Sequence, residues 1–212
     1  MNLKVCGVRT MTMAQACQDL SVPYVGFNFV ESSKRYINPV QAQKLSHAYT
    51  GRKVGVFQNA PLETILETAQ LVDLDIIQLH GEEDLKYIED LKTALLEVKP
   101  LGVWKAFGID ENFKTNEMQL LCKNCDLFLL DGKNAGSGTQ IVNKQLLADA
   151  ILETQNLGLP YALAGGINPD SASLLLPEFH TAALFDTASG VETNDEFDRN
   201  QLERLLKALE DV

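Results

Sequence analysis

Five side chains that can move a proton or hold a charge stand at or just beyond the ends of short apolar runs: Cys6, Arg35, His80, Asp131 and Asp186. A thiol titrates near about 8.5 in water, so a neighbouring cation or a phosphate-site dipole could tune Cys6 into a general base or a nucleophile. The same cysteine could be a small, inert core residue. Asp131 closes the run Leu127-Phe128-Leu129-Leu130. An apolar setting raises a carboxyl's pKa and suits it to act as a general acid; capping its own loop or pairing with Lys133 is the other use. Asp186 carries the same two readings and could also accept from a substrate hydroxyl. Arg35 offers the planar, always-charged fork that clamps a carboxylate, or is a surface arginine on a loop. His80 ends the fourth run; taken alone, such a histidine reads as structural.

Three glycine-rich turns follow the last three runs: Gly136-Ser137-Gly138, Gly165-Gly166 and Ser189-Gly190. Glycine lets backbone N–H groups approach an anion closely, and a helix N-terminus adds partial positive charge. One such turn is the ordinary link between a strand and a helix. Three in consecutive loops point to a bound phosphate.

The elements that must carry these groups repeat along the chain. Eight short runs read as strands: Leu3–Cys6, Tyr24–Val30, Lys53–Phe57, Asp75–His80, Gly102–Phe107, Asp126–Asp131, Tyr161–Ala164 and Ala182–Asp186. Most are continuously apolar, as strands buried on both faces of a parallel sheet are. Between them lie helical patterns. Asn38-Pro39, Ala60-Pro61 and Asn168-Pro169 place proline at a first helical position, twice after an asparagine cap. Leu85, Ile88, Leu91 and Leu95 share one stripe of Glu82–Leu96, and Phe197, Leu202, Leu205, Leu206 and Leu209 share one of Asp195–Leu209. Eight strand–helix units predict an α/β fold, a single (β/α)8 TIM barrel over residues 1–212. The rival, an open doubly wound sheet, would carry Gly-x-Gly-x-x-Gly after its first strand, where this chain reads Cys6-Gly7-Val8-Arg9-Thr10. In a barrel the ends of these runs share one face, where active sites sit.

Composition narrows the function. With 18 Lys+Arg against 29 Asp+Glu, the formal charge is −11. That is too acidic for a general nucleic-acid binder, which needs a basic face. There is no run of about 18 apolar residues to span a bilayer, and no signal-peptide pattern at the start. Four scattered cysteines suggest a reducing compartment, and the cytoplasm is the expected location. Cys122-x-x-Cys125 has no second ligand pair nearby, so no metal site is expected. The acidic surface is compatible with a monomer or a homodimer.

The motifs, taken in order, resemble the phosphoribosylanthranilate isomerase family of tryptophan biosynthesis over essentially the whole chain. They are Lys4-Val5-Cys6-Gly7, Val25-Gly26-Phe27-Asn28-Phe29, Ser33-Lys34-Arg35-Tyr36-Ile37, Val54-Gly55-Val56-Phe57, Gln78-Leu79-His80-Gly81-Glu82-Glu83, Gly136-Ser137-Gly138, Leu163 to Pro169, and Ser189-Gly190-Val191-Glu192. The resemblance implies a cofactor-free Amadori rearrangement of N-(5′-phosphoribosyl)anthranilate, the third step from chorismate to tryptophan. It implies Asp131 as general acid and Cys6 as general base. Arg35 would hold the anthranilate carboxylate, Asp186 would contact substrate hydroxyls, and the three glycine turns would hold the phosphate. His80 would line the mouth. Three departures stand out: Ile141-Val142-Asn143 replaces the family's usual Phe-Asp-Trp, Asn28 stands where an apolar residue is usual, and Phe185 before Asp186 with Thr187-Ala188 after it is unusual. Another phosphosugar-processing barrel enzyme would share the phosphate turns without needing Cys6 paired with Asp131. A non-catalytic phosphosugar-binding barrel would bind without turnover.

Overall fold

The computed structural model describes residues 2–132, 144–175 and 179–210. Eight parallel strands close into a barrel in chain order: β1 (Asn2–Cys6), β2 (Tyr24–Asn28), β3 (Arg52–Phe57), β4 (Ile76–Leu79), β5 (Gly102–Gly108), β6 (Leu127–Asp131), β7 (Tyr161–Ala164) and β8 (Leu184–Thr187). Closure is by β1 against β8, with Lys4 opposite Asp186. The helices are α1 (Met11–Asp19), α2 (Pro39–Ser46), α3 (Leu62–Val72), α4 (Leu85–Val98), α5 (Thr115–Leu121), α6 (Lys144–Asn156), α7 (Pro169–Leu175) and α8 (Arg199–Glu210). This is the (β/α)8 architecture expected from the runs. Among the described residues, no helix is long and apolar enough to cross a membrane.

The continuous apolar runs are explained by two separate cores. Successive strand side chains point to opposite faces. Val5, Phe27, Ile77, Val103, Phe128 and Phe185 face outward and join the helices. Val54, Ile76, Trp104, Leu127, Leu129, Ala162 and Leu184 face inward and fill the barrel. Both sets are buried, so neither face of a strand can be polar without a reason. Lys4, Gln78 and Lys105 are buried polar exceptions on these strands.

Helix starts follow their caps. Asn38 Oδ1 accepts from Gln41 N at 2.9 Å, and Asn168 Oδ1 accepts from Asp170 N at 2.9 Å and Ser171 N at 2.8 Å. Pro61 stands one place earlier than expected, as the residue before α3. Asp84 caps α4, which therefore starts at Leu85 rather than Glu82. Asp75 and Asp126 precede their strands and accept from Lys53 N at 2.8 Å and Val103 N at 2.7 Å. A carboxylate thus finishes the ladder of the neighbouring strand.

The largest correction to an expected helix start is at the last helix. The last helix begins at Arg199, not Asp195. Asn194 and Asp195 have φ of 54° and 62°, a left-handed pair that turns a small hairpin. The hairpin joins β9 (Glu192–Thr193) to β10 (Glu196–Phe197). Phe197 still packs against the core, so the apolar stripe reported burial correctly while misplacing the helix start.

Candidate active site

The C-terminal ends of the strands gather Cys6, Arg35, His80, Asp131, Gly165, Gly166, Asp186, Ser189 and Gly190 at one mouth. Gly136, Ser137 and Gly138 lie outside the described residues, as does the Ile141-Val142-Asn143 departure.

Cys6 is the last residue of β1 and faces inward, two residues after Lys4. Gly26 of β2 lies opposite it in register. A Cβ on Gly26 would stand 3.0 Å from Cys6 Sγ and 3.0 Å from Lys4 Cε, so the bare backbone there makes room for both side chains. Lys4 is fully buried, and its Nζ donates to Asp186 Oδ2 at 2.8 Å. Burial works against that ammonium, but the Asp186 and Cys6 charges outweigh it and hold Lys4 above its ordinary range. The Cys6 thiol lies above its ordinary range: burial pushes it up most, Lys4 pulls it down, Asp186 adds to the rise, and Arg35 pulls down least. The other Asp186 oxygen, Oδ1, is buried and has no hydrogen-bond partner among the described residues. A lone buried acceptor beside a fixed one is where a hydroxyl donor gains most.

Arg35 sits in the β2–α2 loop with its aliphatic stem over Gly7. Gly7 has a φ of +82°, and a Cβ there would meet Arg35 Cδ at 2.5 Å. Its guanidinium is not free: Nε donates to Glu192 Oε1 at 2.8 Å and Nη2 to Glu192 Oε2 at 2.6 Å. The bidentate pair fixes the guanidinium plane and leaves Nη1 for another acceptor. The loop itself is shaped by Asn28, whose Oδ1 accepts from Val30 N at 2.9 Å and whose Nδ2 donates to Ser33 Oγ at 3.1 Å. An apolar residue at position 28 could do neither.

Across the mouth, His80 follows β4 and Asp131 ends β6. His80 Nε2 stands 3.7 Å from Asp131 Oδ2, too far for a direct hydrogen bond. His80 Nδ1 lies 3.2 Å from Gln78 Nε2. With the amide in that orientation Gln78 donates, so the ring proton sits on Nε2 and faces Asp131. Burial, then Lys4 and Lys105, lower the imidazole to about 4 and keep it neutral. Asp131 lies against the β7 turn, where a Cβ on Gly165 would stand 2.9 Å from its Oδ1. A cavity of about 930 Å³ opens on this side, lined by Gln58, His80, Lys105, Phe107 and Asp131 among others.

Gly165 and Gly166 have φ of +97° and +75°, conformations that favour glycine. Ser189 and Gly190 open a 3-10 turn, Ser189–Val191. A Cβ on Gly190 would lie 1.8 Å from Ile167 O, and Thr187 Oγ1 donates to that oxygen at 2.7 Å. The loops after β7 and β8 are therefore fastened together, as a two-loop anion cradle requires.

Comparison with known proteins agrees with this geometry. The family model described as N-(5′-phosphoribosyl)anthranilate (PRA) isomerase matches residues 3–208. The chain belongs to this family. The N-(5′-phosphoribosyl)anthranilate isomerase of Bacillus subtilis is 35% identical over 211 residues, covering 97% of this chain and 93% of that protein. The phosphoribosyl anthranilate isomerase structure from Thermus thermophilus is 28% identical with a TM-score of 0.81, covering 100% of this chain and 99% of that one. A further isomerase structure holds reduced 1-(o-carboxyphenylamino)-1-deoxyribulose 5-phosphate. It is 25% identical with a TM-score of 0.79 over all of both chains.

Against the family's motifs, the residues that sequence reasoning left without a role are Lys4, Gln78 and Glu192. Lys4 and Gln78 are polar residues at inward positions of strands that are otherwise apolar, which is a readable signal. Glu192 carries none, because its partner Arg35 is 157 residues away in the chain.

Proposed function

We infer that the chain catalyses the Amadori rearrangement of N-(5′-phosphoribosyl)anthranilate to 1-(2-carboxyphenylamino)-1-deoxyribulose 5-phosphate, with Asp131 as general acid and Cys6 as general base. One observation carries the assignment. An acid and a base stand on β6 and β1 of one mouth, with β8 and its unpaired Asp186 oxygen between them.

In the first step Asp131 gives its proton to the ring oxygen. The C1′–O4′ bond breaks, and the nitrogen lone pair forms the C1′=N bond of a protonated Schiff base. In the second step the Cys6 thiolate takes the C2′ proton. The C2′–H electrons become the C1′=C2′ bond, and the C=N electrons return to nitrogen. The resulting enolamine becomes the ketone when its C2′ hydroxyl loses a proton and C1′ gains one. Every step is a proton transfer, so the balance needs an acid and a base and no oxidant. The phosphate is assigned to the turns at Gly136–Gly138, Gly165-Gly166 and Ser189-Gly190. Asp186 Oδ1 is assigned to a sugar hydroxyl, and the Arg35 guanidinium, oriented by Glu192, to the anthranilate carboxylate. His80, neutral and beside Asp131, lines the ring-opening side.

The test follows the fluorescence of phosphoribosylanthranilate generated in place with purified protein. Cys6→Ser and Asp131→Asn are each expected to lose about 10²–10⁴-fold in turnover while keeping the parent's circular dichroism. A folded parent without turnover would overturn the assignment.

A further inference from the structure

Lys4 is a fully buried lysine inside the barrel that the acid–base steps leave unused. A charge at that depth is costly unless it is paired and useful. Its pairing with Asp186 accounts for two groups, but not for the direction of its stem. Lys4 and Cys6 lie on the same face of β1, two residues apart, and both rest on the space left by Gly26. The Lys4 side chain thus serves a carboxylate on β8 with its ammonium while its stem shares the space over Gly26 with the sulfur of its own strand.

We propose that Lys4 is a positioning residue whose ammonium, pinned by Asp186, stabilises the Cys6 thiolate that takes up the substrate's C2′ proton. The proposal rests on the isomerase reading for the identity of that proton, but not for the state of the thiol. Burial alone leaves a thiol protonated and a poor base. Lys4 supplies the opposing charge from within the fold, before substrate arrives. The arrangement also links recognition to chemistry. A hydroxyl that donates to Asp186 Oδ1 disperses the carboxylate's charge and leaves more of the ammonium's field on the sulfur. The charged and titratable groups that face this corner are Asp186 from β8, Arg35 with its partner Glu192 from the loops after β2 and β8, and His80 and Asp131 across the mouth.

The test measures the pH dependence of iodoacetamide alkylation at Cys6, read by peptide mass on the full chain without substrate. Lys4→Met is expected to raise the midpoint by about one unit or more, and Asp186→Asn to lower it. The double variant Lys4→Met with Asp186→Asn buries no uncompensated charge, so it carries the test if Lys4→Met does not fold. Its midpoint is expected to stay above the parent's, because the thiol has lost its nearest cation. The limb of the kcat/KM pH profile that coincides with the parent's alkylation midpoint should shift with that midpoint in the folded variants. A double variant whose midpoint returns to the parent's value would overturn the proposal, leaving Lys4 as the neutralising partner of Asp186 only. So would an unchanged midpoint in a folded Lys4→Met. Loss of the isomerase reading would show separately, as a parent that alkylates as expected but does not turn over phosphoribosylanthranilate.

Discussion

The two sides of the barrel mouth are built on different principles. On the β1–β2–β8 side, the two buried or half-buried cations are each held by a carboxylate: Lys4 by Asp186, and Arg35 by Glu192. The hairpin after β8 reaches over to the β2–α2 loop, where Arg9 donates to Lys34 O and Asp195 O, and Lys34 pairs with Asp195. On the β4–β6 side, a neutral imidazole faces Asp131 beside an open cavity. The buried ion pair there joins Lys105 of β5 to Glu83 of the loop after β4, and both residues line that cavity. Lys105 donates to Gly81 O at 2.6 Å and to Glu83 Oε2 at 3.1 Å. Glu83 in turn accepts from Asn59 N at 2.8 Å and Gly81 N at 3.0 Å. One side fixes its reacting groups directly. The other fixes the loop that carries His80 and opens on the cavity. The charged side suits a thiol that depends on its local field and also carries Arg35, assigned to the anthranilate carboxylate; the other side carries the cavity in front of His80 and Asp131.

The contrast can be broken most severely at the buried pair of Lys105 and Glu83. Glu83→Ala removes three hydrogen bonds and leaves Lys105 buried without its carboxylate. A loss of about 3–5 kcal/mol is expected in urea unfolding, and a loss below about 1 kcal/mol would mean the pair is dispensable. On the charged side, Glu192→Gln keeps the shape but removes the charge and one of the two acceptors, since an amide nitrogen cannot accept from Arg35. Steady-state kinetics should show KM raised by roughly 3–10-fold with kcat changed less, since Arg35 is assigned to binding. A fall in kcat alone would contradict that assignment.

A milder test uses pH. His80 is held at about 4 in the folded chain against an ordinary value of about 6.5. Between those values the unfolded chain binds a proton that the folded one refuses. Stability should therefore fall as pH drops from about 6.5 towards 4. Imidazole NMR would place the midpoint directly, and titration near 6.5 would refute the neutral imidazole. The smallest effect belongs to the exposed strap: Lys34→Ala is expected to leave the thermal midpoint indistinguishable from the parent's, because exposed ion pairs contribute little.

These contrasts were unequally legible in the sequence. The barrel was readable because burial on both strand faces writes continuous apolar runs, and all eight runs are strands. Cap residues marked α2 and α7 because an asparagine side chain closes the first turn locally. The hairpin Glu192–Phe197 was not readable, since its two-residue strands carry no periodicity. The catalytic candidates stood out by type, but their partners did not. Asp186 meets Lys4 and Glu192 meets Arg35 only through closure of the barrel, at separations of 182 and 157 residues. Asn28 was visible as a departure from the family's pattern; its role in shaping the loop required the hydrogen bonds.

The pairing of Lys4 with Asp186 has a consequence for how the protein matures. The first strand made during synthesis finds its partner only when the eighth has been made, and until then it lacks one neighbour of its ladder. Contacts of such long sequence separation form late, because the intervening chain must be ordered first. The ammonium beside Cys6 acquires its counter-charge in that same event. Barrel closure and the pairing of Lys4 are thus one step, so a nascent or partly unfolded chain holds the thiol without the charged surroundings of the closed barrel.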